Sequence, residues 1–158
     1  SIGGLYGNHD VANYGVAKAG VIGLSNVAAI EGAAHNVTSN VIVPAAVTRM
    51  AEGIDTTAYP PMGADLVAPA VGWLAHESCS ITGEMLVAIA GRIARAYIAE
   101  TPGVYRPSWS IEDVAAQIDN IRDTAESVVF PVVPDGHNAH IAYSFGMARP
   151  FDEGVTIG

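Results

Sequence analysis

Between Val11 and Glu31 the chain runs about twenty residues with Lys18 as its only charge before Glu31 itself. Ala12, Val16, Ala19, Val21, Ile22, Leu24, Val27, Ala28 and Ile30 recur at helical spacing but on most sides of the helix rather than along one stripe. A helix of that kind is stable in water only if most of its surface is covered, so the rest of the fold must supply that cover. Gly32 to Asn36 carry helix-stop chemistry, and Val37–Val43 (VTSNVIV) reads as a β-branched strand ended by Pro44. Helix followed by buried strand points to an α/β architecture.

The remaining segments fit that class. Residues 1–10 are rich in glycine and read as a loop. Arg49 to Gly63, with Tyr59-Pro60-Pro61, reads as an irregular loop of the kind that covers substrates and varies freely. Asp65 is placed to cap a second apolar helix, LVAPAVGWLAHES, with Pro69 in its first turn. A turn at Thr82-Gly83 leads into an apolar run, Met85 to Ala90, short enough for a buried parallel strand. After a TPGVYRPSW loop, Ser110-Ile111-Glu112-Asp113 places a cap and an acidic N3 residue at the head of a helix running to about Ser127. The last thirty residues hold three prolines and read as an irregular arm. We therefore expect residues 1–98 to be part of one α/β domain and 99–158 an extension with one helix and an arm.

Composition bounds the partners. The 158 residues carry a formal net charge of −9, and seven scattered Lys and Arg cannot build a phosphate-tracking stripe, so nucleic acid is excluded as a partner. No stretch is long and apolar enough for a membrane span, and no basic-then-apolar leader opens the sequence. The single cysteine, Cys79, has no intrachain partner and forms no metal-type pair, which suits a reducing compartment and leads us to expect the cytoplasm. Asn36-Val37-Thr38 matches a glycosylation acceptor by chance.

Tyr14 and Lys18, the only lysine, stand four apart at the start of the long helix and so project from one face. An adjacent ammonium favours phenolate over phenol, so the pair could shuttle a proton; the alternative is a half-buried tyrosine beside a solvated lysine. His9 reads as a loop residue that could line a pocket or simply face solvent. His137 and His140, three apart, have no cysteine or carboxylate pattern beside them, and we expect no metal.

The run N-Y-G-V-A-K-A-G-V-I-G-L, the preceding G-L-Y-G-N, the following S-N-V-I-V-P and the later I-T-G-E-M resemble the short-chain dehydrogenase/reductase family, in order and spacing, over residues 1 to about 91. More narrowly, Y-G-N-H-D-V-A-N-Y-G-V-A-K, A-I-E-G, P-A-A-V-T-R-M and W-L-A-H-E-S-C look similar to the dehydrogenase portion of multifunctional β-oxidation enzymes acting on (3R)-hydroxyacyl-CoA. The resemblance implies a doubly wound, Rossmann-like parallel sheet and an NAD or NADP cofactor. It also implies a catalytic set of Tyr14, Lys18 and the serine thirteen before the tyrosine, which is Ser1. In that set Tyr14 is general acid or base, Ser1 holds the substrate oxygen, and Lys18 holds the nicotinamide ribose. The family's upstream asparagine has no counterpart, and Asn13, next to Tyr14, does not take its place.

Where the family has Pro-Gly and a threonine five after the proline, this chain has Pro44-Ala45-Ala46-Val47-Thr48-Arg49. By position Pro44, Val47 and Thr48 are the cofactor-binding candidates, Val47 through its backbone to the carboxamide. Thr48 stands one residue before the family's threonine slot, which Arg49 fills. Thr48 reads equally as a turn residue.

The resemblance further implies a small hydroxy or keto substrate, with an acyl-CoA thioester as one class, and a homodimer or homotetramer. No glycine-rich phosphate loop opens a helix anywhere in the sequence, so we expect a preceding nucleotide-binding half on the order of a hundred residues, ending in a strand that leads into Ser1. Two rival readings remain: a non-catalytic oligomerisation fragment built on the apolar helices, and an N-terminal-serine hydrolase using the Ser1 amine as base.

Overall fold

The computed structural model describes residues 1–148, which form two compact units: Ser1–Tyr97 with Val132–Pro134, and Ile98–Pro131 with the segment from Asp135 onward.

The first unit opens on a single helical turn, α1 (Gly3–Tyr6), inside what the sequence predicts to be loop. The long helix α2 spans Ala12–Ala33, and Asn36, at φ 55°, turns the chain out of it as the helix-stop residues predict. Strand β1 is Val41–Ala45 rather than the expected Val37–Val43. Ser39 and Asn40 are instead bonded across to the segment before the next strand: Ser39 N–H donates to Thr82 Oγ1 at 3.1 Å and Asn40 Nδ2 to the Ile81 carbonyl at 2.9 Å. Pro44 does not end the strand but lies within it. Among the described residues β1 pairs with β2 alone, so the missing N–H of Pro44 breaks no second ladder there.

After 3₁₀ turns at Arg49–Ala51 and Ala64–Leu66, helix α3 covers only Ala68–Leu74. Asp65 lies in the second turn and caps nothing, while Pro69 sits in the first turn of α3 as expected. The helix stops early because His76 Nδ1 takes the Ser78 N–H at 3.1 Å, a local bond that competes with continued helix.

Strand β2 (Met85–Ile89) pairs parallel with β1, and β3 (Arg92–Ala96) pairs antiparallel with β2, giving the order β1-β2-β3. The sequence reading missed β3. Its signal was the two-residue turn Ala90-Gly91, at φ 50° and 79°, which matches the backbone twist a tight hairpin needs.

Alternation along β1 divides the core. Val41 and Val43 join Met85 beneath Leu5 of α1 and Ile22 of α2, while Ile42 turns to the other face against Val67, Ala70 of α3 and Ala88. Helices therefore cover both faces of a mixed sheet, with one parallel and one antiparallel pair among the described residues, an arrangement of the α/β class. The cover over α2 is incomplete: its inner side buries Ser25 and Ala29, whereas Val16 and Leu24 are 74% and 71% exposed.

In the second unit, helix α4 (Ile111–Ile121) begins at the expected cap. The Asp113 N–H donates to Ser110 Oγ at 3.0 Å and the Ser110 N–H donates to Asp113 Oδ2 at 3.0 Å, closing the capping box. It ends at Ile121, well before Ser127, because Asp123 Oδ1 takes the Ala125 N–H in a local turn. The expected irregular arm contains a further helix, α5 (Gly136–Ala148), started by Asp135, whose Oδ1 accepts the Asn138 N–H at 3.3 Å. Its apolar residues follow no single face, which is why periodicity failed to reveal it. The part of the arm beyond residue 148 lies outside the described residues.

Candidate active site

Ser1, Tyr14, Lys18 and Pro44 line one groove of about 280 Å³, walled by Val21 and Ile22 of α2 and by Val41–Val43 of β1. The helix places Tyr14 and Lys18 one turn apart, and the Lys18 Nζ lies 5.4 Å from the centre of the Tyr14 ring. Turn α1 delivers Ser1 from a different part of the chain. The Gly3 N–H donates to Ser1 Oγ at 3.2 Å and the Gly4 N–H donates to the Ser1 carbonyl at 3.0 Å, so the serine is tied to the turn on both sides. Gly3 separates Ser1 from Tyr14: a Cβ built on it would lie 3.4 Å from Tyr14 Cε1 and 3.5 Å from Ser1 Oγ.

Tyr14 is 44% exposed, and among the described residues its hydroxyl has no protein partner, which leaves it open to an incoming oxygen.

Val47 and Thr48 do not line this groove; they follow β1 into the loop. The Val47 N–H is committed to the Met62 carbonyl at 2.7 Å, which closes the base of the 48–62 loop and leaves the Val47 carbonyl as its available backbone group. Thr48 caps the turn at Arg49–Ala51, its Oγ1 accepting the Met50 N–H at 3.2 Å while its own O–H stays available to donate. The candidate cofactor residues thus divide into a lysine, tyrosine and proline at the groove and two groups on the loop past β1. The ammonium and hydroxyls among them can donate to a ribose or phosphate, and the Val47 carbonyl can accept from a carboxamide. Among the described residues no glycine-rich strand-to-helix turn is present for a dinucleotide's phosphates.

The other candidates are placed elsewhere. His9 is exposed in the turn before α2. His140 Nε2 meets Glu100 Oε2 at 3.0 Å, with Phe130 edge-on to its ring at 5.0 Å, and His137 takes no part. Among the described residues no three His, Cys, Asp or Glu side chains group to hold a metal ion. No described helix is long and apolar enough to cross a membrane.

A model of the short chain dehydrogenase family matches residues 1–58, the stretch that holds Ser1, Tyr14, Lys18 and β1, so that stretch carries the family's pattern. The particular relatives narrow the neighbourhood. The chain is 41% identical over 127 residues to the peroxisomal multifunctional enzyme type 2 of Drosophila melanogaster, covering 79% of this chain and 21% of that one. It is 36% identical over 129 residues to a short-chain type dehydrogenase/reductase of Mycobacterium tuberculosis, covering 78% and 44%. The solved structure of the full-length Drosophila enzyme superposes with a TM-score of 0.74 at 31% identity, over 96% of this chain and 28% of that one, which establishes the Rossmann-like α/β fold. The chain thus spans less than half the length of either relative.

Proposed function

We propose that this chain serves an NAD(P)-dependent oxidoreductase that interconverts a secondary alcohol and a ketone, with 3-hydroxyacyl thioesters such as acyl-CoA esters as the substrate class. The observation that carries the reading is the meeting of Ser1, Tyr14 and Lys18 on one groove, brought there by two separate elements. The thioester class rests on likeness to a multifunctional enzyme together with the motifs quoted above.

In alcohol oxidation Tyr14, as phenolate, takes the hydroxyl proton while the carbon–oxygen double bond forms; in reduction its O–H returns that proton to the carbonyl oxygen. Ser1 Oγ donates a hydrogen bond to the same oxygen and holds it as charge develops. Lys18 holds the ribose hydroxyls. A bound nicotinamide would supply the hydride acceptor or donor. Pro44, the Val47 carbonyl and the Thr48 hydroxyl would help hold it, Val47 toward the carboxamide and Thr48 toward a phosphate.

Residues 1–98 are assigned to the dehydrogenase domain and 99–158 to its extension. The exposed apolar side of α2 favours a homodimer or homotetramer in which a second copy covers Val16 and Leu24. The cytoplasm, inferred from the single cysteine, stands beside a Drosophila relative named as peroxisomal.

The test uses the full polypeptide that carries this chain, supplied with 3-hydroxyacyl-CoA or a simple secondary alcohol and with NAD⁺ or NADP⁺. Appearance of reduced nicotinamide supports the reading. No turnover with either nucleotide on any of these alcohols would overturn it.

A further inference from the structure

We infer that Gly4 is a positioning residue for the catalytic set: the missing side chain at this position lets turn α1 rest directly on the backbone of α2 at Lys18, and that close approach sets Ser1 beside Tyr14. The inference rests on the oxidoreductase reading above and adds to it a residue that touches neither substrate nor cofactor.

A Cβ built on Gly4 would lie 2.7 Å from Lys18 Cβ, 2.8 Å from the Lys18 carbonyl carbon and 3.0 Å from the Ala19 nitrogen. Two of those three atoms belong to the helix backbone and cannot rotate away. The neighbouring glycines differ. At Gly3 the nearest atom would stand 3.4 Å off, an ordinary contact, and at Gly20 on α2 nothing lies within 4 Å. The demand for glycine in this stretch of α1 is therefore steric, and it is sharpest at position 4.

The turn has one other anchor. Leu5 packs into the core cluster of Val41, Val43 and Met85, next to Ile22 of α2. Between these two anchors the backbone has little freedom: the Leu5 and Tyr6 N–H groups both donate to the Ile2 carbonyl, at 3.1 and 2.9 Å, and the Gly4 N–H donates to the Ser1 carbonyl. The Gly4 contact thus lies between Ser1 and the Leu5 anchor and fixes how closely the start of the turn approaches α2. Lifting the turn off α2 moves the serine hydroxyl but leaves Tyr14 and Lys18 where their own helix holds them. The separation predicts which quantities change. Displacement of a catalytic group by about 1 Å costs on the order of a hundredfold in rate, whereas groups on α2 that hold the nucleotide stay in register.

The experiment compares Gly4→Ala with Gly20→Ala in the full polypeptide, measuring kcat, the nucleotide Kd and backbone amide exchange. The expected result for Gly4→Ala is a fall in kcat of about a hundredfold, a nucleotide Kd within about twofold of the parent, and faster exchange at Leu5 and Tyr6 with α2 unchanged. Gly20→Ala should match the parent on all three. A folded Gly4→Ala that keeps kcat within about threefold overturns the inference, as does a loss of nucleotide affinity in step with kcat. Should Gly4→Ala not fold, Leu5→Ala loosens the second anchor without a clash. The same split between kcat and Kd is then required, and its absence overturns the inference. If the parent protein itself turns over no alcohol, the functional reading fails, and the exchange arm alone still shows whether the turn depends on Gly4.

Discussion

Replacing Tyr14 with phenylalanine removes one oxygen and one proton from a side chain that is 44% exposed and whose hydroxyl has no protein hydrogen bond among the described residues. The ring is kept, and with it the packing against Gly3 and the position beneath the Lys18 ammonium, 5.4 Å from the ring centre. No buried polar group is orphaned and no cavity forms, so the change in stability should stay within about 0.5 kcal/mol. Loss of a general acid or base costs about 10²- to 10⁴-fold in rate. At about 1.36 kcal/mol per decade, that is about 2.7 to 5.4 kcal/mol of barrier. The rate effect should therefore exceed the stability effect at least fivefold, a separation that a merely structural tyrosine could not give. The assay is steady-state oxidation of a 3-hydroxyacyl-CoA by the full polypeptide, run beside a thermal melt and a nucleotide titration. Turnover within threefold of the parent would remove Tyr14 from the chemistry. An equal fall in melting temperature and activity would assign it to packing.

Other expectations follow from neighbouring features. Lys18→Met keeps the aliphatic stem at the α1 contact but deletes the ammonium, and loss of charged hydrogen bonds to the ribose should raise the nucleotide Kd about tenfold or more, read by fluorescence titration. Val43→Ala empties space at the most deeply buried large side chain, 1% exposed, and should cost about 2 kcal/mol in denaturant unfolding of the full polypeptide. Ser110→Ala removes a cap and should loosen α4 by about 1 kcal/mol, measured by amide exchange along that helix. The Ser110 N–H first and its hydroxyl second, with help from Arg106, hold the Asp113 carboxyl below its usual range. A depressed carboxyl stabilises the fold above its unfolded value near about 3.9 and loses that contribution as pH falls through the folded one, so α4 should fray below about pH 4 and not above it.

The sequence by itself determined the parts whose cause is local. The charge-poor run of α2 with its stop near Asn36 follows from helical periodicity and turn chemistry; so does the capping box at Ser110 and Asp113. The one-face placement of Tyr14 and Lys18 follows from helical spacing alone. The α/β class was legible because a helix apolar on most sides, followed by a β-branched run, has few other ways to be covered. Where competing local bonds decided the outcome, as at His76 and Asp123, the helices stopped short of their apolar patterns. Two elements needed more than pattern. Strand β3 exists because β2 offers an edge and Ala90-Gly91 adopts the hairpin twist, and α5 carries no periodic face to betray it. Only the tertiary structure decided the site itself. That Ser1 stands near Tyr14 depends on a turn seated by Leu5 in the core and by Gly4 against Lys18, contacts between residues fourteen or more apart in the chain. Whether a backbone can approach another that closely is a question of excluded volume in three dimensions, and a glycine in a sequence does not say what it lies against.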